Sequence, residues 1–234
     1  MSGHSKWATT KRRKESVDSK RSSIFTKLAK DIAVAAREGG DPTSNFKLRM
    51  AIDKARTYSL PKDNIERAIK RGTGELGGVQ LEQLVYEGYG PENIALIIEV
   101  VTDNKNRTVQ EVKHLLNKYG GSFAGPGSVQ WQFDYKGVII LDKQNLNDEE
   151  QLTLIDAGAD DFKIDQSVTV YTGVDQFENV KKKIEELGFP ISEANLEYVA
   201  KNQVKPKNED SLLKFFEALD ELDDVSNFYS NAEI

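Results

Sequence analysis

The stretch Asn93–Gly121, NIALIIEVVTDNKNRTVQEVKHLLNKYGG, changes its apolar period halfway. Residues 94–101 are almost continuous in Ile, Leu and Val, the pattern of a strand covered on both faces. From Arg107 the apolar residues Val109, Val112, Leu115 and Leu116 recur every three or four positions, the spacing of a helix with one buried face. Between them, TDNKNRT packs Asp, Asn and Arg into the junction where a strand ends and a helix begins. Open α/β folds tend to place functional groups there. Thr108 and Glu111 have capping-box spacing, so a simple helix start accounts for part of the motif. Asp103, Asn104, Asn106 and Arg107 exceed what one cap needs and are a possible second ligand contact.

Downstream, SVQWQFDY alternates as a strand with Val129, Trp131 and Phe133 on one side. Residues 136–203 then read strand, helix, strand, strand, helix, strand, the order of a split βαβ, ferredoxin-like unit. A last helix (DSLLKFFEALDEL) and strand (VSNFYSN) follow. Residues 77–135 alone make a thin domain, and this final pair completes it. The expected organisation is α+β and multidomain: a small N-terminal helical bundle plus two α/β-sandwich domains, one ferredoxin-like and inserted into the other. The boundaries are 1–76 for the bundle, 77–135 with 204–234 for the discontinuous domain, and 136–203 for the insertion.

Upstream lies the helical part. Ile24, Phe25, Leu28, Ile32 and Ala35/Ala36 form an amphipathic stripe that Gly39-Gly40 ends. Asp41-Pro42 suggests an N-cap and first helical position for a second helix carrying Phe46, Leu48, Ile52 and Ala55. A third runs from Pro61 to Gly72. GTGELG (72–77) matches a dinucleotide-binding string, but it follows a helix where that motif requires a strand, so it reads as a linker. GPGSV (125–129) could turn backbone amides toward phosphate, although a tight turn explains it as well.

Charge separates these parts. Residues 1–71 hold 18 Lys and Arg against 8 acids, a net +10, whereas residues 72–234 hold 14 against 30, a net −16. A basic module on an acidic body suits a polyanionic partner. Lys6, Lys11, Arg12, Arg13 and Lys14 precede the first helix, with Trp7 as a stacking ring. Lys20, Arg21 and Lys27 continue on that helix, and Lys70 and Arg71 close the third. These residues are the expected nucleic-acid contacts. Contacts to phosphate give affinity without sequence information.

The absence of cysteine rules out disulfides, thiolate nucleophiles and thiolate metal sites. Only His4 and His114 are present, with no zinc-protease or nucleophile-elbow string. No catalytic pair, metal or cofactor is expected. The start lacks the apolar core of a signal peptide, and no segment has the apolar length of a membrane span. A cytoplasmic, non-enzymatic monomer is the expectation.

GHSKWA, KRRK, IFTKLAKDIAVAAREGGDPTSN, LRMAIDKARTYSLPKDNIERAIKRGTG, YEGYGP, TDNKNRT and GSVQWQF together resemble the YebC/PmpR family over nearly the whole chain. The resemblance implies a helical N-terminal domain and two α/β domains, one interrupting the other, with GHSKWA opening the mature fold rather than a cleaved leader. It also implies a DNA-binding transcriptional regulatory protein. The alternative it carries is a ribosome- or RNA-associated translation factor that helps synthesis through stretches such as consecutive prolines. Departures are small: Thr9-Thr10 stands where Asn-Ile is usual, and PENIAL lacks the Gly-Gly that commonly follows YEGYGP.

Overall fold

The computed structural model of the protein describes residues 18–77 and 80–234. Among them are seven α-helices and two four-stranded antiparallel sheets, a mixed α/β architecture. The chain divides into two compact units, residues 1–132 with 200–234, and residues 133–199.

The first unit begins with α1 (Asp18–Ala35), α2 (Phe46–Thr57) and α3 (Lys62–Gly72). Their apolar stripes meet in one core of Leu28, Ile32, Leu48, Ile52, Ile65 and neighbouring alanines. Gly72 lets α3 end against α1, because a Cβ there would stand 2.1 Å from the carbonyl oxygen of Ala33. Asp41-Pro42 does not start α2. Asp41 instead accepts from Thr43 in a turn, and Asn45 is the cap, its Oδ1 accepting from Leu48 N at 3.0 Å. The Asn45 amide also donates to Ala35 O and Gly39 O, which binds the end of α1 to the start of α2.

The rest of this unit is a sheet in the order β3-β1-β2-β8, built from β1 (Glu82–Tyr89), β2 (Ala95–Thr102), β3 (Ser122–Ala124) and β8 (Val225–Ser230). β2 is central, and all eight of its residues are buried, as its apolar run requires. Ile94, Leu96, Ile98 and Val100 share a core with α4 (Lys105–Lys118) and α7 (Glu209–Asp220). On the opposite face, Val101 packs with Leu81 and with Ala33 and Val34 of α1.

The second unit runs β4 (Phe133–Leu141), α5 (Asp148–Ala157), β5 (Asp161–Ile164), β6 (Val168–Thr172), α6 (Phe177–Glu186) and β7 (Ile191–Ala200), with sheet order β5-β6-β4-β7. Asn147 and Glu150 form a reciprocal capping box at the start of α5. β4 is unbroken from residue 133 to residue 141. Trp131 is not a strand residue: it sits in a single turn at Gln130–Gln132 and is 68% exposed.

Candidate nucleic-acid interface and the ionic seam beside it

The basic surface divides into residues that face solvent and residues that hold the fold. On α3, Arg67, Lys70 and Arg71 are exposed and three or four positions apart, hence on one face. Their side chains meet no partner among the described residues. Lys70 and Arg71 also occupy the last turn, where the negative end of the helix dipole favours cations. The first half of the same face carries Asp63 and Glu66, with Glu66 paired to Lys62. The net positive charge of α3 therefore lies in its C-terminal half.

Lys27 does not belong to this surface. It is 8% exposed, and its ammonium donates to the carbonyl and carboxylate of Asp220 at the end of α7. A buried ammonium needs such an anchor, so Lys27 joins the bundle to the sheet domain. Lys20 and Arg21 fall in the first turn of α1, with their side chains outside the described part. Lys6, Trp7, Lys11, Arg12, Arg13 and Lys14 lie outside the described residues altogether.

The TDNKNRT motif is built around a residue the sequence reading missed. Asp224, just before β8, has a side chain only 5% exposed. Its Oδ1 meets Lys30 of α1 at 2.7 Å, and its Oδ2 meets Arg107 of α4 at 2.6 Å. Thr102 Oγ1 and Thr108 Oγ1 lie 3.0 and 2.7 Å from the same Oδ2. Burial pushes this carboxyl up, but hydrogen bonds from Lys30, Arg107 and Thr108, with the Lys30 charge, outweigh it and hold the group well below the usual carboxylate range. Asn104, not Thr108, caps α4, accepting from Arg107 N at 3.1 Å. The Thr108 hydroxyl is taken up by Asp224 instead. Arg107 also pairs with Asp103 at 3.0 Å. Asn106 is exposed.

Asp103, Arg107 and Asp224 line a cleft of about 420 Å³ with Lys30, Arg71, Glu111, Glu221 and Asp223. Five carboxylates and three cations line it, so the cleft carries a net negative charge. The motif works as an ionic seam between α1, α4 and the start of β8. No local sequence signal could reveal it, because Asp224 lies 117 residues from Arg107.

A second internal carboxylate sits further along the same face. Burial raises the Glu99 carboxyl; Asn227, Lys54 and Tyr229 offset this in part, and Asp31 adds to it. Asn227 and Tyr229 each donate to Glu99 Oε2 at 3.2 Å. Burial likewise raises Asp31 on α1, with Lys54, Lys27 and Lys30 opposing.

The GPGSV loop is a turn with its amides already used. Glu87 of β1, 5% exposed, accepts from Gly127 N at 2.5 Å, Val129 N at 2.7 Å and Gln130 N at 3.0 Å. Gly127 supplies the left-handed backbone this needs, with φ +81°. Those amides cannot also receive phosphate. Among the described residues, no group of three or more His, Asp or Glu could hold a metal ion, and no helix is long and apolar enough to cross a membrane.

Residues 5–75 match the TACO1/YebC protein N-terminal domain, and residues 81–232 match the TACO1/YebC second and third domain. A probable transcriptional regulatory protein of Thermoanaerobacter pseudethanolicus is 51% identical, the match covering 100% of this chain and 98% of that one. One from Thermotoga maritima is 49% identical, over 100% and 94%. The crystal structure of a conserved hypothetical protein from Aquifex aeolicus superimposes with a TM-score of 0.83 at 39% identity, covering 93% of this chain and 92% of that one. Matched along both its basic and its acidic parts, the chain belongs to the TACO1/YebC family.

Proposed function

We propose that the protein is a non-enzymatic, cytoplasmic regulator of gene expression that binds nucleic acid through its basic helical domain, acting as a DNA-binding transcriptional regulatory protein. The observation that carries this reading is the unpaired Arg67–Lys70–Arg71 stripe on α3, set in a segment of net charge +10. The names of the relatives, probable transcriptional regulatory proteins, support it. Lys6, Trp7, Lys11, Arg12, Arg13, Lys14, Lys20 and Arg21 extend the contact, and Lys27 is left out because of its internal pairing. With Asp63 and Glu66 on the leading half of α3, the helix grips backbone phosphate rather than reading bases.

In this reading residues 1–76 form the binding domain of a monomer. Residues 77–135 with 204–234 form a discontinuous α+β domain, and residues 136–203 form a ferredoxin-like domain inserted into it.

Titration with duplex DNA and with RNA at several salt concentrations tests the proposal. Binding through Z phosphates weakens with a log–log slope near about −0.9Z on duplex DNA. Replacing Arg67, Lys70 and Arg71 by Ala should reduce that slope by about 2–3. A slope that is flat, or unchanged in the triple variant, rejects the reading. Co-sedimentation with ribosomes, with no protected promoter segment, would favour the translation role instead.

A further inference from the structure

Trp131 is the most exposed large apolar side chain of the described residues, at 68%, and it is held rigidly. Its indole Nε1 donates to Ser128 O at 3.0 Å, and the Tyr89 hydroxyl approaches the same oxygen at 3.4 Å. The loop beneath is fixed by the three amides on Glu87. With its N–H used internally, the ring has only its π-face left to offer a ligand. Its sequence neighbours Pro126, Gly127, Ser128 and Gln130 are exposed and small or polar. An aromatic anchor of a protein interface works inside a surround that excludes water. A stacked base needs only the ring.

Charge around the ring points the same way. Residues 112–133 contain no Asp or Glu and include Lys113 and Lys118, within a body of net charge −16. Lys113 Nζ lies 5.0 Å from the centroid of Phe123 on β3, the strand that leads into the loop. Residues 200–208, which hold Lys201, Lys205 and Lys207 and no acid, are fastened beside Trp131 by Lys201 N donating to Gln132 O at 2.9 Å. The Lys201 segment thus adjoins the residue that follows the exposed ring.

We propose that Trp131 is a stacking platform for an unpaired base of a single-stranded nucleic acid, with these lysines attracting the adjoining phosphates. The proposal rests on the nucleic-acid reading above and adds a second contact of a different kind. Stacking tolerates any base, and a duplex, whose bases are already stacked, cannot use the ring.

The test uses the full chain with Trp7 intact, the Trp131 fluorescence being taken as the difference between the parent and Trp131→Phe, since Trp7 is the other indole. A 12-nucleotide single-stranded RNA and a duplex of the same length are titrated in. The single strand should quench Trp131 fluorescence. Trp131→Ala should weaken single-strand binding about tenfold and leave duplex binding within about twofold. Trp131→Phe should retain most of the affinity, whereas Trp131→Leu, apolar without a π-face, should behave like Ala. Unchanged single-strand affinity in Trp131→Ala, with the α3 triple variant still weakened, overturns the platform and leaves the nucleic-acid reading standing. A change in self-association without a change in RNA affinity makes the ring a protein contact and overturns the platform too. Absence of binding to either nucleic acid at low salt overturns both.

Discussion

Two carboxylates buried along one face of the same sheet meet opposite fates. Asp224 faces two cations and two threonine hydroxyls and is held ionised. Glu99 faces an amide and a phenol, with Lys54 as its cationic influence, and burial raises its pKa. The stem of α1 runs past both regions, contributing Lys30 to the first and Asp31 to the second. Desolvation penalises both acids; what separates them is how many donors and charges converge on the oxygens. A fully matched buried carboxylate ties elements together. An under-matched one drifts toward its neutral form and ties them less.

Removing the matched acid should have the largest effect. Asp224→Ala removes the carboxylate acceptor of Thr102 and one partner each from Thr108, Lys30 and Arg107, which keep Asn104 O, Asp223 O and Asp103 respectively. Arg107 is nearly half exposed and can be rehydrated, so the expected loss is about 2–4 kcal/mol rather than the full cost of a stranded buried charge, measured by denaturant unfolding. Next comes the acid limb of the stability profile. Because the folded pKa of Asp224 is lowered, its contribution is complete above the unfolded carboxyl range near about 4 and is lost as pH falls through the folded value. Asp224→Asn should therefore flatten the decline below about pH 4, whereas an equally steep decline would show that other groups control it.

Glu99 has the reverse sign. Its raised pKa gives a contribution that is complete below about pH 4 and lost as pH rises through the folded value. Glu99→Gln, which keeps an acceptor for Asn227 and Tyr229, should grow more stable relative to the parent between pH 5 and 8, by less than about 1 kcal/mol. Melting temperatures across that range check it. A widening deficit would mean that Glu99 is as well matched as Asp224. The smallest effect belongs to the outer surface: replacing Arg67, Lys70 and Arg71 by Ala should alter stability by less than about 0.5 kcal/mol while weakening nucleic-acid binding.

The comparison also shows why only part of this molecule can be read from its sequence. The apolar run of β2 and the helical stripes of α1 to α3 are local signals, and the elements stand where those signals put them. Local rules failed where two candidates competed. Asn45 capped α2 in place of Asp41 because its amide also bridges Ala35 and Gly39. Asn104 capped α4 in place of Thr108 because Asp224, far away in sequence, engages that hydroxyl. Trp131 left the expected strand alternation because Glu87 draws the preceding amides into a turn. The charge excess on α3 is visible in composition, but which cations are internal is not. Lys27 looks like a surface charge until α7 is brought against it.

The two points where the chain leaves and re-enters its first unit adjoin each other. Lys201 N donates to Gln132 O at 2.9 Å, and in the second unit the entering strand β4 and the departing strand β7 are neighbours in one sheet. Excising residues 133–199 would leave ends that a few glycines could rejoin, at little cost in loop entropy. The excised segment, carrying its own sheet and two helices, would have its termini side by side. The chain is therefore laid out as a host unit whose two segments flank one continuous cassette.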